Sequence, residues 1–178
     1  MIYWIHLKTV YKNNSNNSVR YLLGIKGENP LCVFGVNPSL ATDKKSDLTV
    51  SKIQTFLKLN GFDGYYIFNI YPLRATNPHT LHQRCNSKLN NKNIDVIKET
   101  LSSLNHINIW AAWGNTILIK PYLLDSLKLI VKSVSHFKIQ WYQCGTLTKG
   151  GHPRHPSRLA YNNKFYPFNI EKYSNHCI

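Results

Sequence analysis

A chain of 178 residues is long enough for one domain with a full core and too short for two ordinary ones, so 1–178 reads as a single domain. Hydrophobic residues make up 43% of it, which excludes disorder as the state of most of the chain. Against 22 Lys and Arg stand 8 Asp and Glu, a formal net charge of +14 that folding does not require and that points to a polyanionic partner, bound through neutralised phosphates and released counterions.

In chain order, the residue pattern predicts strands over 3–10 and 20–25 around the polar tract 12–18, an N-terminal hairpin with a polar tip. A continuous apolar strand follows at 31–36. Asp47 stands where a helix cap belongs, with Val50, Ile53 and Leu57 at helical spacing and Asn60-Gly61 as the stop. Residues 65–70 read as a second buried strand. Ile94, Ile97, Leu101 and Leu104 mark another helix, and 107–112 another strand. A helix is expected from near Gly114, bent at Pro121, and a strand at 138–144 then leads into a loop rich in Gly, His and Pro. Strands alternating with helices imply an α/β fold of three αβα layers, with a central, mostly parallel sheet and helices on both faces.

Residues 1–8 show no basic segment leading into a long apolar run, so no secretory signal is expected. No segment has the length and apolarity of a membrane span, and no basic amphipathic stretch suits a membrane surface, so no membrane partner is expected. Cys32, Cys85, Cys144 and Cys177 are scattered without a C-x-x-C pair and read as reduced thiols. The expectation is a cytoplasmic monomer.

The carboxyl edge of the predicted sheet carries the candidate chemistry. Phe34-Gly35-Val36-Asn37-Pro38-Ser39 ends one strand in a rigid turn with an amide side chain and exposed N–H groups, where open α/β folds hold their ligands. Asn69, Gly114 and the loop from His152 to Ser157 also fall just after predicted strands, so all converge on one edge. His79, His82 and Cys85 lack a fourth ligand and the usual spacing, so no metal and no cofactor is expected. Taken singly, Asn37 fits a turn as well as it fits a site, and Asn69 fits a cap for the next segment equally well. Asp47 reads first as a helix cap, and Arg74 as a tie from its loop to a carboxylate.

Together these segments resemble the uracil-DNA glycosylase superfamily. Gly35-Val36-Asn37-Pro38-Ser39 is similar to the Gly-x-Asn-Pro loop of its mismatch-specific uracil/thymine branch. Phe68-Asn69-Ile70 resembles the strand whose terminal Asn reads a flipped base, and Trp113-Gly114-Asn115 the strand-to-helix Trp-Gly turn. His155-Pro156-Ser157 matches the His-Pro-Ser loop that carries the leaving-group histidine and pinches the DNA backbone. From Arg20 to Leu159 the chain also looks like a little-characterised family of small bacterial and phage proteins. That family shares Asn-Pro-Ser…Asp-x-Thr (Asn37–Ser39, Asp47–Thr49), Asn-x-x-x-x-Arg-Ala-Thr (Asn69–Thr76) and Gly-His-Pro-x-His-Pro (Gly151–Pro156).

The resemblance implies a uracil-DNA glycosylase-like fold, DNA as partner and cleavage of a base–sugar bond. Such a site needs a donor on the departing base, a ligand for water, a pocket for the flipped base and grips on the flanking phosphates. The implied catalytic residues are Asn37, His155, Asp47 and Asp43. Asn37 stands where many members have Asp; its amide takes no proton and only orients water, while Asp43 and Asp47 supply charge to the sugar cation. The second His-Pro leaves His152 beside His155 as candidates for the leaving group. The implied base-binding set is Asn69 with Phe34, Tyr66, Phe68 and Tyr71 as stacking faces. The implied DNA contacts are Ser39, Lys149, His152, Arg154, Ser157 and Arg158.

No Lys is placed as a Schiff-base nucleophile, so the activity expected is a monofunctional glycosylase without strand cleavage. The favoured substrate is a modified pyrimidine, glucosylated hydroxymethylcytosine of phage DNA, excised in antiviral defence. Two alternatives stand beside it: repair of uracil or mismatched bases, and a nucleic-acid-binding module that lost the chemistry.

Overall fold

A computed structural model of the protein describes residues 8–176. The opening hairpin pairs β1 (Thr9–Asn13) with β2 (Arg20–Ile25), Val10 lying opposite Gly24. Residues 3–7 of the predicted first strand lie outside the described residues, as does Cys177. Within the described residues, the strand runs past its expected end into the polar tract through Lys12 and Asn13. The tip is stitched by Asn and Ser side chains, and Asn17 sits at φ 56°, a left-handed value that Asn tolerates.

Four strands fall within one residue of their predicted bounds: β3 (Pro30–Gly35), β4 (Gly64–Asn69), β5 (Ile107–Ala111) and β6 (Ile139–Cys144). Asp47 caps α1 (Leu48–Leu59), its Oδ1 accepting from the Val50 N–H at 3.0 Å and Oδ2 from the Ala41 N–H at 3.3 Å. Replacing Asp47 with Ala removes both bonds; about 1 kcal/mol of stability should be lost in a urea titration. An unchanged midpoint would mean that the cap contributes nothing.

α2 (Ser87–Ser102) starts before Ile94, because Asn86 caps it by accepting from the Leu89 N–H at 3.2 Å, and Leu104 falls beyond its end. Pro121 bends no helix. Residues Gly114–Leu118 form a separate 3-10 turn, and α3 (Pro121–Val134) begins at the proline, where the missing N–H has no intrahelical partner to lose. A short strand, β7 (Phe165–Pro167), and a last helix, α4 (Ile170–His176), were not anticipated.

The strands form one seven-stranded sheet in the order β1-β2-β4-β3-β5-β6-β7. The central strands β4, β3, β5 and β6 run parallel, with antiparallel pairing toward both edges. α1 covers one face, burying Val50, Ile53, Phe56 and Leu57 against Leu31, Val33, Ile67 and Trp110. α2, α3 and α4 cover the other, over Cys32, Phe34, Phe68 and Ile109. The expected three layers are therefore present.

Candidate functional site

The parallel register decides which residues meet. Gly35 pairs with Asn69 and Phe34 with Ala111, so β3, β4 and β5 end at one level and their following loops open on one side. The loop after β3 is laced to the loop after β4: the Tyr71 N–H donates to the Val36 carbonyl and the Ala75 N–H to the Pro38 carbonyl, both at 2.9 Å. The loop after β5 meets the loop after β6, where the Gly114 N–H donates to the Pro153 carbonyl at 2.8 Å. Gly114 has φ 62°, and a Cβ there would lie 3.4 Å from the His155 Cβ, so a glycine fits both the conformation and the contact.

Between these loops lies a cleft of about 1040 Å³, at the upper end of the roughly 300–1,000 Å³ usual for small-molecule sites. Asn37, Ser39, Asp47, Asn69, His155 and Ser157 line it, with Lys149, Arg154 and Arg158 around its mouth. Its wall toward α1 is aliphatic, from Val33, Val50, Ile53 and Ile67.

Three side chains are held in defined orientations. Asn37 donates from Nδ2 to the Ala75 carbonyl at 2.7 Å and to the Pro38 carbonyl at 3.1 Å, which leaves Oδ1 as its acceptor. Asn69 is 3% exposed, and its Nδ2 is buried without an acceptor. Gly35 makes room for that amide, since a Cβ there would stand 3.1 Å from Asn69 Oδ1. The Asn69 carbonyl is itself held by Asn93 Nδ2 at 2.8 Å. His155 Nδ1 accepts from the Ser157 N–H at 3.3 Å and meets Ser157 Oγ at 2.8 Å. A ring nitrogen accepting from an amide carries the lone pair, so the proton sits on Nε2. Burial pulls His155 down to about 4, with Arg158 adding to the fall and Asp47 opposing it. The imidazole is therefore neutral near pH 7.

Several expected positions are corrected. Phe34, Tyr66, Phe68 and Tyr71 do not line the cleft; they sit in the core beneath α2 and α3. Phe34 stacks at 5.2 Å from Phe68 and 5.7 Å from Trp141, and Tyr71 Oη meets His82 Nδ1 at 2.9 Å. Side chains alternate along a strand, so Phe34 on β3 and Tyr66 and Phe68 on β4 point away from the face that carries α1, and Tyr71, just past β4, packs into the same core. Asp43 is exposed and outside the cleft, so Asp47 is the carboxylate of the expected pair that lines it. His152 is 4% exposed, with Nδ1 at 2.7 Å from Tyr173 Oη, to which Trp113 Nε1 also donates. Sealed in this way, it is not a phosphate contact. Arg74 ties its loop to Tyr11 Oη, Asn17 Oδ1 and the Leu40 carbonyl, and not to a carboxylate.

The sequence reading missed Arg20 and Lys52. Arg20 lines the cleft although 4% exposed. Lys52 of α1 donates to the Leu159 carbonyl at 2.7 Å, fastening the helix to the His-Pro-Ser loop. An Arg opening an otherwise apolar strand and a Lys on a helix surface give no distinguishing sequence signal. Among the described residues, no cluster of three or more His, Cys, Asp or Glu could hold a metal ion, and no helix is long and apolar enough to cross a membrane.

Fold and site thus define an α/β protein with a polar cleft at the carboxyl end of a parallel sheet centre. The chain belongs to the family described as "Protein of unknown function (DUF1643)", which matches residues 20–157. No curated protein and no solved structure matches it.

Proposed function

We propose that the protein is a monofunctional DNA glycosylase that takes one base out of the DNA stack and hydrolyses its bond to the sugar. The observation that supports this reading most is convergence: Asn37, Asn69, Gly114 and His155 arrive from the ends of four strands and the segments that follow them, and line one cleft. Extrusion is required because the target bond is unreachable inside a duplex.

In the reaction the C1′–N bond breaks with its electron pair leaving on the base, and the sugar becomes cationic. The oxygen of water then bonds to C1′, its spare proton passes to solvent and the base is protonated. His155, neutral with its proton on Nε2, supports the departing anion as a hydrogen-bond donor. Asn37, fixed through Nδ2, presents Oδ1 to the water. Asp47 offers negative charge to the sugar cation, and Asn69 reads the edge of the base. The aliphatic wall takes over the role expected of the strand aromatics, enclosing the ring in a dry surface.

The favoured substrate is a modified pyrimidine, with glucosylated hydroxymethylcytosine of phage DNA first, as in antiviral defence. Labelled DNA containing uracil, hydroxymethylcytosine or its glucosylated form, treated with the protein and then alkali, tests this. Strand breaks at the modified base support the reading, breaks at uracil alone support repair, and binding without breaks leaves a module without chemistry.

DNA affinity is expected to fall steeply with salt, each neutralised phosphate contributing about −0.9 to the logarithmic slope for duplex DNA. The exposed Lys149 and Arg158 stand at the cleft mouth, whereas Arg154 spends Nε on the Thr146 carbonyl at 2.8 Å. Lys149→Ala and Arg158→Ala should each flatten the slope by about 1. A flat dependence in the unmutated protein would remove DNA as the partner.

A further inference from the structure

Arg20 is a buried cationic residue of the cleft that this mechanism leaves unused. It opens β2, which runs antiparallel to β4; with Leu23 opposite Ile67, the start of β2 falls beside the end of β4, where Asn69 sits. Nη1 donates to the Ala41 carbonyl at 2.8 Å, Nε is sealed without an acceptor, and among the described residues no carboxylate pairs with the guanidinium. Asp47, whose oxygens take the Val50 and Ala41 N–H groups, attracts it only from a distance.

A cation buried against one neutral carbonyl keeps most of its desolvation cost. Burial and the charge of Arg74 pull Arg20 down to about 10, so it remains charged at neutral pH. An arginine that braces a fold spends its fork on protein oxygens, as Arg74 does on three of them. Arg20 does not, and the same corner holds a second unspent donor, the buried Nδ2 of Asn69.

Resting on the glycosylase reading of this cleft, we propose that Arg20 and Asn69 form a donor subsite for an oxygen-rich group on the extruded base, and that Arg20 makes the cleft prefer a decorated pyrimidine to a plain one. A plain ring presents one hydrogen-bonding edge, which a single amide engages. A guanidinium in addition calls for oxygens beyond the ring.

The test blocks chemistry with His155→Ala and measures equilibrium binding to oligonucleotides that differ in one base, uracil or glucosylated 5-hydroxymethylcytosine. Arg20→Gln should lower the preference for the decorated base at least tenfold and Arg20→Lys recover part of it, with uracil-DNA affinity and Tm little changed. An unaltered preference in folded variants overturns the subsite. So does an Arg20-intact protein that shows no preference. In either case base release by the unmutated chain decides separately whether the glycosylase reading stands. Should the glutamine variant fail to fold, the Arg20 Nη–H signal of the His155→Ala protein gives the answer. It should shift with the decorated oligonucleotide and not with the uracil one; equal shifts or none overturn the proposal.

Discussion

His155→Ala is expected to slow base release by two to three decades in a single-turnover assay, the roughly 2.7–4 kcal/mol that one oxyanion-type donor supplies. His152→Ala should leave the chemical step close to normal and cost stability instead, about 1–3 kcal/mol for a lost buried hydrogen bond. The two histidines belong to the same short loop, but His155 lines the cleft while His152 is sealed against Tyr173. The pH profile separates the mechanisms further. A His155 pulled down to about 4 stays neutral through the ordinary titration range, so the rate should be flat between pH 6 and 8. An imidazolium acting as general acid would instead give a rate that climbs as pH falls through the usual histidine pKa of about 6.5. The linkage to stability has a definite sign. The folded pKa lies below the unfolded one, so the unfolded chain binds more protons between them. Stability held above about pH 6.5 is lost as pH falls toward 4, and His155→Ala should remove that part of the slope. A normal rate for His155→Ala beside an inactive but folded His152→Ala would reverse the assignment.

The middle of the sheet was legible because β3 and β4 are buried on both faces and so read as apolar runs, such as Leu31 to Phe34. The same property hid the facing of their side chains. In a strand covered on both sides, nothing in the sequence separates the Val33 face from the Phe34 face, and the aromatics were assigned to the wrong one. Proline had two meanings as well. Pro121 could bend a helix or begin one, and only the break after Leu118 decides. β7 and α4 are three and seven residues long, too short for a periodic signal.

Asn37, Asn69 and His155 reach the cleft for another reason. Position after a strand places a residue at the carboxyl edge whatever its side chain packs against, so topology alone located them. Arg20 escaped that logic because it stands at the start of its strand and not after its end. It reaches the same edge only through the antiparallel pairing of β2 with β4, and pairing direction is a tertiary fact. Asp43 failed for the opposite reason: nearness in sequence to Asp47 does not bring it in, since the turn between Thr42 and Lys45 holds it in solvent.

Asn37→Ala is expected to lose roughly two decades in the rate of base release while still binding DNA, the loss associated with a misplaced reactant. Asn37 lines the cleft, and with Nδ2 committed to the Ala75 and Pro38 carbonyls, Oδ1 is left as a pure acceptor. It can orient water but takes no proton from it. That suffices when the sugar bond is largely broken before water attacks, as in oxocarbenium-like glycosidic cleavage, because little deprotonation is then needed in the transition state. Asn37→Asp should recover activity relative to Asn37→Ala, with a condition that the geometry imposes. The new carboxylate would face two carbonyl oxygens in place of an amide donor, which raises its pKa and favours a proton on that oxygen. Its rate should therefore rise with pH, while that of the unmutated protein stays level. A level profile for Asn37→Asp would mean that the aspartate turns away from Ala75, and an Asn37→Ala variant at full single-turnover rate would reduce the Asn-Pro-Ser loop to a turn.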